Sequence, residues 1–266
     1  MSDSRPTVSP AAPPIDWTAH AAVLFDLDGV VTPTAEVHMR AWADMFNHFL
    51  ALPDAPGGGD RSPYEAGDYF AHVDGKPRYD GVRDFLASRG IELPEGEITD
   101  SGDTLTVHGL GNRKDVAFNE VLERDGVDAY PGSVALLDHL RDLGTPLAVV
   151  SSSRNAPAVL AAAGLSDRFV TVVSGAVAEE LGLPGKPAPD TFVHAAEVLG
   201  APVERCVVLE DAVSGVRAGA AGHFALVVGV DRGVGADALT EAGADVVVAD
   251  LAELVPGDRE EARDGA

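Results

Sequence analysis

Cysteine is nearly missing from this chain: Cys206 is the only one in 266 residues. A single cysteine excludes an internal disulfide and a cysteine-based zinc site, and a reducing cytoplasm is the simplest setting. Lysine is almost as scarce, with Lys76, Lys114 and Lys186 the only three among 19 basic residues. Against 43 acidic residues the formal net charge is −24. That balance argues against a broad nucleic-acid surface, which needs clustered Lys and Arg, and reads as an acidic, solvated exterior. No run of about 18 apolar residues occurs, so no membrane span is expected. Residues 1–19 show no basic head followed by an apolar block and read as a flexible tail, not a secretory signal.

What the chain does contain is apolar material in short packets. Hydrophobic residues make up 45% and the mean hydropathy is +0.06, enough for a sizeable core. From residue 130 onward, "PLAVV" (146–150), "FVTVV" (169–173), "CVVLE" (206–210), "FALVVGV" (224–230) and "ADVVVAD" (244–250) alternate with Ala/Leu-rich helical segments. Short β-branched runs between helices predict βαβ units and a mostly parallel sheet, whose first strand is "AAVLFDL" (21–27). Residues 34–127 break the rhythm. "AEVHMRAWADMFNHFLAL" has helical spacing, "YEAGDYFAHVDGKPRYDGVRDFLASRGI" suits two short helices around a loop, and "RKDVAFNEVLERDG" suits another helix. The expectation is an α/β fold: a core of 20–33 and 128–252, a mainly helical cap of 34–127, and a second tail from 253.

Ligands of open parallel sheets bind at the carboxyl ends of the strands, so the residues there carry the functional reading. Strand one ends in "DLDG". Asp26 and Asp28, at i and i+2, share one side of extended backbone, and Gly29 permits a sharp turn. Two carboxylates that close need compensation, which a divalent metal would supply while leaving one free as a nucleophile; a turn or helix-cap signal is the competing reading. Strand two leads into "SSSRN", where Ser151, Ser152, Ser153, Arg154 and Asn155 suit a phosphate or, alternatively, ordinary N-capping. "LPGKPAPD" holds Lys186 between Gly185 and Pro187, as an anion-neutralising lysine or a surface one. Strand four ends in Glu210 and Asp211, a second acidic pair of hard oxygen ligands. Each alone has a bland explanation; four in order at successive strand ends do not.

The order "DLDG", "SSSRN", "GKPAPD", "LEDAVSG" resembles the haloacid dehalogenase superfamily of phosphotransferases, from about residue 20 to 250. The resemblance implies a Rossmann-like core with an inserted cap. It further implies Asp26 as nucleophile forming an aspartyl-phosphate, Asp28 as general acid and base, and Ser151 and Lys186 on the transferring phosphoryl group. Mg²⁺ would be held by Asp26, the Asp28 backbone carbonyl and Asp211, with Glu210 close by. "FDLDGVVTPTAEVHMRAW", including His38, "VDGKPRYDGV" and "NRKD" are most similar to the β-phosphoglucomutase-like branch. That branch implies Gly75, Arg78, Lys114 and His38 as cap residues meeting a phosphosugar, with Arg154 and Asn155 on its non-transferring phosphate. Pro33 departs from the acidic residue frequent there, and the stretch 52–110 is longer than in compact caps. The expected activity is interconversion of β-glucose 1-phosphate and glucose 6-phosphate by a cytoplasmic monomer, with a sugar-phosphate phosphatase as alternative and no nucleic-acid or membrane partner.

Overall fold

The computed structural model describes residues 14–53 and 56–257. Six strands form one parallel sheet: β1 (Ala22–Phe25), β2 (Leu147–Val150), β3 (Thr171–Val173), β4 (Cys206–Glu210), β5 (Leu226–Val230) and β6 (Val246–Val248), in the order β3-β2-β1-β4-β5-β6. Leu24 is level with Ala148 on one side and Val208 on the other. The strand order reverses between β1 and β4, which opens a crevice beyond their carboxyl ends.

Alternation along the strands makes two apolar layers. Phe25, Val149, Val207 and Leu209 pack with Leu136, Leu137 and Leu140 of α5 (Pro131–Asp142) on one face. Leu24, Ala148, Val150 and Val208 pack with Phe192 of α8 (Asp190–Val198) and Val216 of α9 (Val213–Ala221) on the other. Covered on both sides, the strands can be continuously apolar, as their sequences are. Helices α6 (Ala156–Ala162), α7 (Gly175–Leu181) and α10 (Ala236–Ala242) complete the flanks.

The cap has its own core. In α1 (Thr34–Leu50), Trp42, Met45, Phe46 and Phe49 recur at helical spacing and are buried against Val82, Phe85 and Leu86 of α3 (Arg78–Ser88) and Leu110 of α4 (Val107–Asp125). The two short helices expected in 64–91 are α2 (Ala66–Asp68), running into a π turn at Tyr69–Val73, and α3, with 74–77 as the loop between them. Helix α4 begins earlier than the "RKD" stretch, because the Thr106 hydroxyl caps it by accepting from Gly109 N at 3.0 Å. His108 therefore lies in its first turn.

The cap leaves the core at Pro33 and returns through 126–130. Tyr130 N donates to Val31 O at 3.0 Å and Ser133 Oγ to Val30 O at 2.6 Å, holding the two crossings side by side. Arg232 Nε donates to Gly29 O at 2.9 Å while its guanidinium lies 3.9 Å over the Tyr130 ring, tying the turn after β1 to the returning chain.

One expectation about the termini needs correcting. Trp17 is buried at 2% exposure, and its indole donates to Leu254 O at 3.1 Å. Burial of a large indole with its N–H satisfied fixes the chain before residue 20. The tail expected from 253 likewise starts inside the fold, since Leu254 is buried at the end of a 3-10 turn, Leu251–Leu254; residues 1–13 and 258–266 lie outside the described residues.

Candidate active site

Asp26 follows directly on β1, its backbone N–H donating to Leu209 O at 2.9 Å, so its position is set by the sheet itself. Lys186, 3% exposed, reaches it from the loop before α8. Its Nζ donates to Asp26 Oδ1 at 2.5 Å, Glu210 Oε1 at 2.5 Å and Val150 O at 3.0 Å. Burial raises the Asp26 carboxyl well above its usual range, and Glu210 and Asp28 add to that against the pull of Lys186. Burial alone would lower the Lys186 ammonium, but Asp26 and Glu210 outweigh it and keep it charged. The rigid lysine of "PGKPAPD" is thus a buried counter-charge, not a surface residue.

Asp28 turns the other way. Its Oδ1 accepts from the Thr34 hydroxyl and lies 3.3 Å from His38 Nε2; Ser151 Oγ donates to its Oδ2 at 3.3 Å. Thr34 and His38 are one helical turn apart on α1, so both face this carboxylate. Burial favours the neutral acid, yet His38 and Thr34 prevail and hold Asp28 at about 2. Behind His38 stands Lys114, whose Nζ is hydrogen-bonded to Nδ1 while Nε2 faces the Asp28 carboxylate. The imidazole stacks on Phe118 at 4.1 Å, and Lys114 lies over Trp42 and Phe118 at 5.3 and 5.0 Å. Burial first, and then Arg78, lowers Lys114 to about 7 despite Asp28 and Asp115. Burial and Lys114 also lower His38.

The cap closes on this floor through backbone and side-chain contacts. Ser152 Oγ donates to Gly75 O at 2.8 Å and Ser214 Oγ to Asp74 O at 3.0 Å, so the 74–75 turn spans from the end of β2 to the start of α9. Gly75 has φ +67°, and a Cβ there would overlap Ser214 Oγ. Arg78 Nη1 is 2.6 Å from Asp115 Oδ1, which also accepts from Asn155 Nδ2 at 2.8 Å. Asn155 occupies the N-cap position of α6 without a side-chain capping bond; its amide reaches the cap instead. Arg154 pairs with Glu179 of α7. The Ser153 hydroxyl accepts from Asn155 N at 3.2 Å and Ser153 N donates to Ser151 Oγ at 3.0 Å, shaping the loop from within. The cavity between cap and core holds only about 70 Å³, far below the ~300–1,000 Å³ of ordinary ligand sites. A second cavity of about 430 Å³ adjoins it between the cap and α7, sharing Arg78, Ser151, Ser152 and Arg154.

The donor set fits a divalent cation. Asp26, Glu210 and Asp211 bring carboxylate oxygens within 4.8 Å of one another. Burial, then Asp74 and Glu210, push the Asp211 carboxyl well above its usual range. Mutually repelling buried oxygens are what a hard cation relieves. Gly29, at φ +88°, passes so close to Asp211 that any Cβ would overlap its carboxylate. Glu210 is already engaged, with Oε1 on Lys186 and Oε2 accepting from Ala212 N at 2.9 Å, and the Asp28 side chain stands outside the cluster.

Two site residues escaped the sequence reading. Asp74, raised to about 7 by burial and by Glu210, lines the cavity immediately before Gly75. Asp115 follows Lys114 and pairs with Arg78. Each neighbours a residue that a motif had marked, and that adjacency was the available signal. Trp42, by contrast, packs the cap interior, stacked on Phe46 at 5.3 Å.

Comparison with known proteins agrees with this geometry. A haloacid dehalogenase-like hydrolase family model matches residues 20–223. The chain is 50% identical over 239 residues to a beta-phosphoglucomutase of Mycobacterium bovis, covering 88% of this chain and 91% of that one. It is 30% identical to hexitol phosphatase A of Escherichia coli, over 74% and 77% of the two chains. The solved beta-phosphoglucomutase of Clostridium difficile shares the fold, with a TM-score of 0.70 at 22% identity, covering 92% of this chain and 96% of that one. Among the described residues, no helix is long and apolar enough to cross a membrane.

Proposed function

Because this chain belongs to the haloacid dehalogenase-like hydrolase family, in its β-phosphoglucomutase-like branch, and is an enzyme of the isomerase and phosphotransferase type, we propose that it interconverts β-glucose 1-phosphate and glucose 6-phosphate. Asp26, as aspartyl-phosphate, donates its phosphoryl group to the 6-hydroxyl of β-glucose 1-phosphate and forms the 1,6-bisphosphate. The bisphosphate reorients, the 1-phosphate returns to Asp26, and glucose 6-phosphate leaves. Asp28 takes the proton from the attacking hydroxyl and returns one to the departing oxygen. Ser151 and Lys186 hold the moving phosphoryl group, while Arg78, Lys114, Arg154 and Asn155 hold the far end of the sugar. Mg²⁺ on Asp26, Asp211 and the Asp28 carbonyl, near Glu210, would offset the negative charge gathered there.

The observation that carries this reading is the chain Lys114–His38–Asp28: a cap lysine and histidine terminate on the proposed proton carrier. Cap closure and proton transfer are thereby joined, which suits a transfer that must exclude water. A phosphatase on the same residues is the second reading, favoured by the identity to hexitol phosphatase A.

The test is a product assay with Mg²⁺, β-glucose 1-phosphate and a trace of the 1,6-bisphosphate, with Asp26→Ala as control. Glucose 6-phosphate in large excess over free phosphate is the expected result. Free phosphate without glucose 6-phosphate would replace the mutase with the phosphatase.

A further inference from the structure

Arg78, from the cap, and Asn155, from the core, converge on one oxygen, Asp115 Oδ1. Arg78, Asn155, Lys114 and Asp115 all line the catalytic cavity. A guanidinium and an amide directed at one anionic oxygen, beside a buried ammonium, make an anion site, and the anion in it belongs to the protein. Arg154, the other cation at this end, is likewise held by a carboxylate, Glu179. Arg78 Nε is buried and has no hydrogen-bond partner among the described residues, so the guanidinium keeps a spare donor.

We infer that Asp115 is an internal stand-in for the non-transferring phosphate. Its carboxylate occupies the Arg78–Asn155 site in the ligand-free protein, ties the cap to the core, and must swing out when a phosphosugar arrives. This rests on the phosphosugar reading above. A phosphate dianion and a carboxylate cannot share two donors without strong repulsion, so one displaces the other. Asp115 has room to leave: its side chain is 30% exposed, and α4 can keep its backbone in place while the side chain changes rotamer. The small cavity of about 70 Å³ then describes the waiting enzyme, latched by its own anion.

Inorganic phosphate is the probe, titrated calorimetrically against Mg²⁺-loaded wild type, Asp115→Asn and Asp115→Ala. All three keep a phosphate place beside Ser151 and Lys186. Both variants are expected to take a second phosphate about tenfold more tightly than wild type, because the resident anion is gone. Amide hydrogen exchange in 74–80 of the ligand-free variants should quicken, since the seam has lost a closing contact. If Asp115 merely braces Arg78, Ala weakens phosphate binding and Asn leaves it unchanged; either result overturns the inference. The near-isosteric Asn variant decides alone should Ala fold poorly. Inorganic phosphate contains no sugar, so the titration stays decisive even if the product assay yields no glucose 6-phosphate.

Discussion

In the core half of the site stand four carboxylates (Asp26, Asp28, Glu210 and Asp211) and one lysine, which bonds Asp26 and Glu210, and every carboxylate sits at or just beyond a strand end. In the cap half the balance is mixed: Lys114, Arg78 and His38 face Asp74 and Asp115, and all are carried on helices or on the loop between them. The core fixes its groups by the sheet's own hydrogen bonds. The cap pairs groups of its own, Arg78 with Asp115 and Lys114 with His38, and is set over the core by Ser152, Ser214 and Asn155. The difference suggests a division of labour, in which the core sets whether phosphoryl transfer occurs and the cap sets what receives the phosphoryl group.

Substitutions that separate the halves test that division. The largest effect is expected at Asp26→Asn, with both glucose 6-phosphate and free phosphate production falling about 10⁴-fold or more and the thermal melt still cooperative. Residual turnover above a hundredth of wild type would take the nucleophile away from Asp26. Gly75→Ala should act on the cap alone, since the added Cβ meets Ser214 Oγ at the seam. Phosphate release from Asp26 should continue, while the ratio of glucose 6-phosphate to free phosphate drops about tenfold as water enters. An unchanged ratio would mean that the 74–75 turn does not seal the site.

The smallest effect is on stability, at Lys114→Met. Folding lowers this lysine to about 7, by burial. Between there and its unfolded value of about 10.4, the unfolded chain binds more protons, so wild-type stability climbs with pH. Below about pH 7 the folded protein carries the buried charge, and there the methionine variant should be more stable, by about 2 kcal/mol. That advantage should shrink in urea melts as pH rises from 6 to 9, while KM for the phosphosugar is higher at every pH. A gain that is constant with pH would place the effect in packing, not in the buried charge.

Legibility followed the same line as the two halves. That Asp26, Lys186, Glu210 and Asp211 come together was legible because each follows or lies in an apolar run or a proline-bounded loop whose place in a parallel sheet is nearly forced. Trp17 was misjudged because its tail is polar and proline-rich by composition, whereas its burial depends on Leu254 at the far end of the chain. The start of α4 was placed too late, at the "RKD" stretch, because it depends on a single threonine cap.

The sequence by itself determined the strand and helix alternation, the inserted cap, and the acidic and hydroxyl groups at the strand ends. Parallel strands bring their carboxyl ends to one edge whatever the loops do, so order along the chain becomes proximity in space. Only the tertiary structure decided that Lys114 and His38 end on Asp28, that Asn155 reaches across to Asp115 and Arg78, and that the 74–75 turn is held by Ser152 and Ser214. Those contacts depend on how one packed body rests against another. No local periodicity encodes that placement, because each body satisfies its own hydrophobic pattern before the two meet.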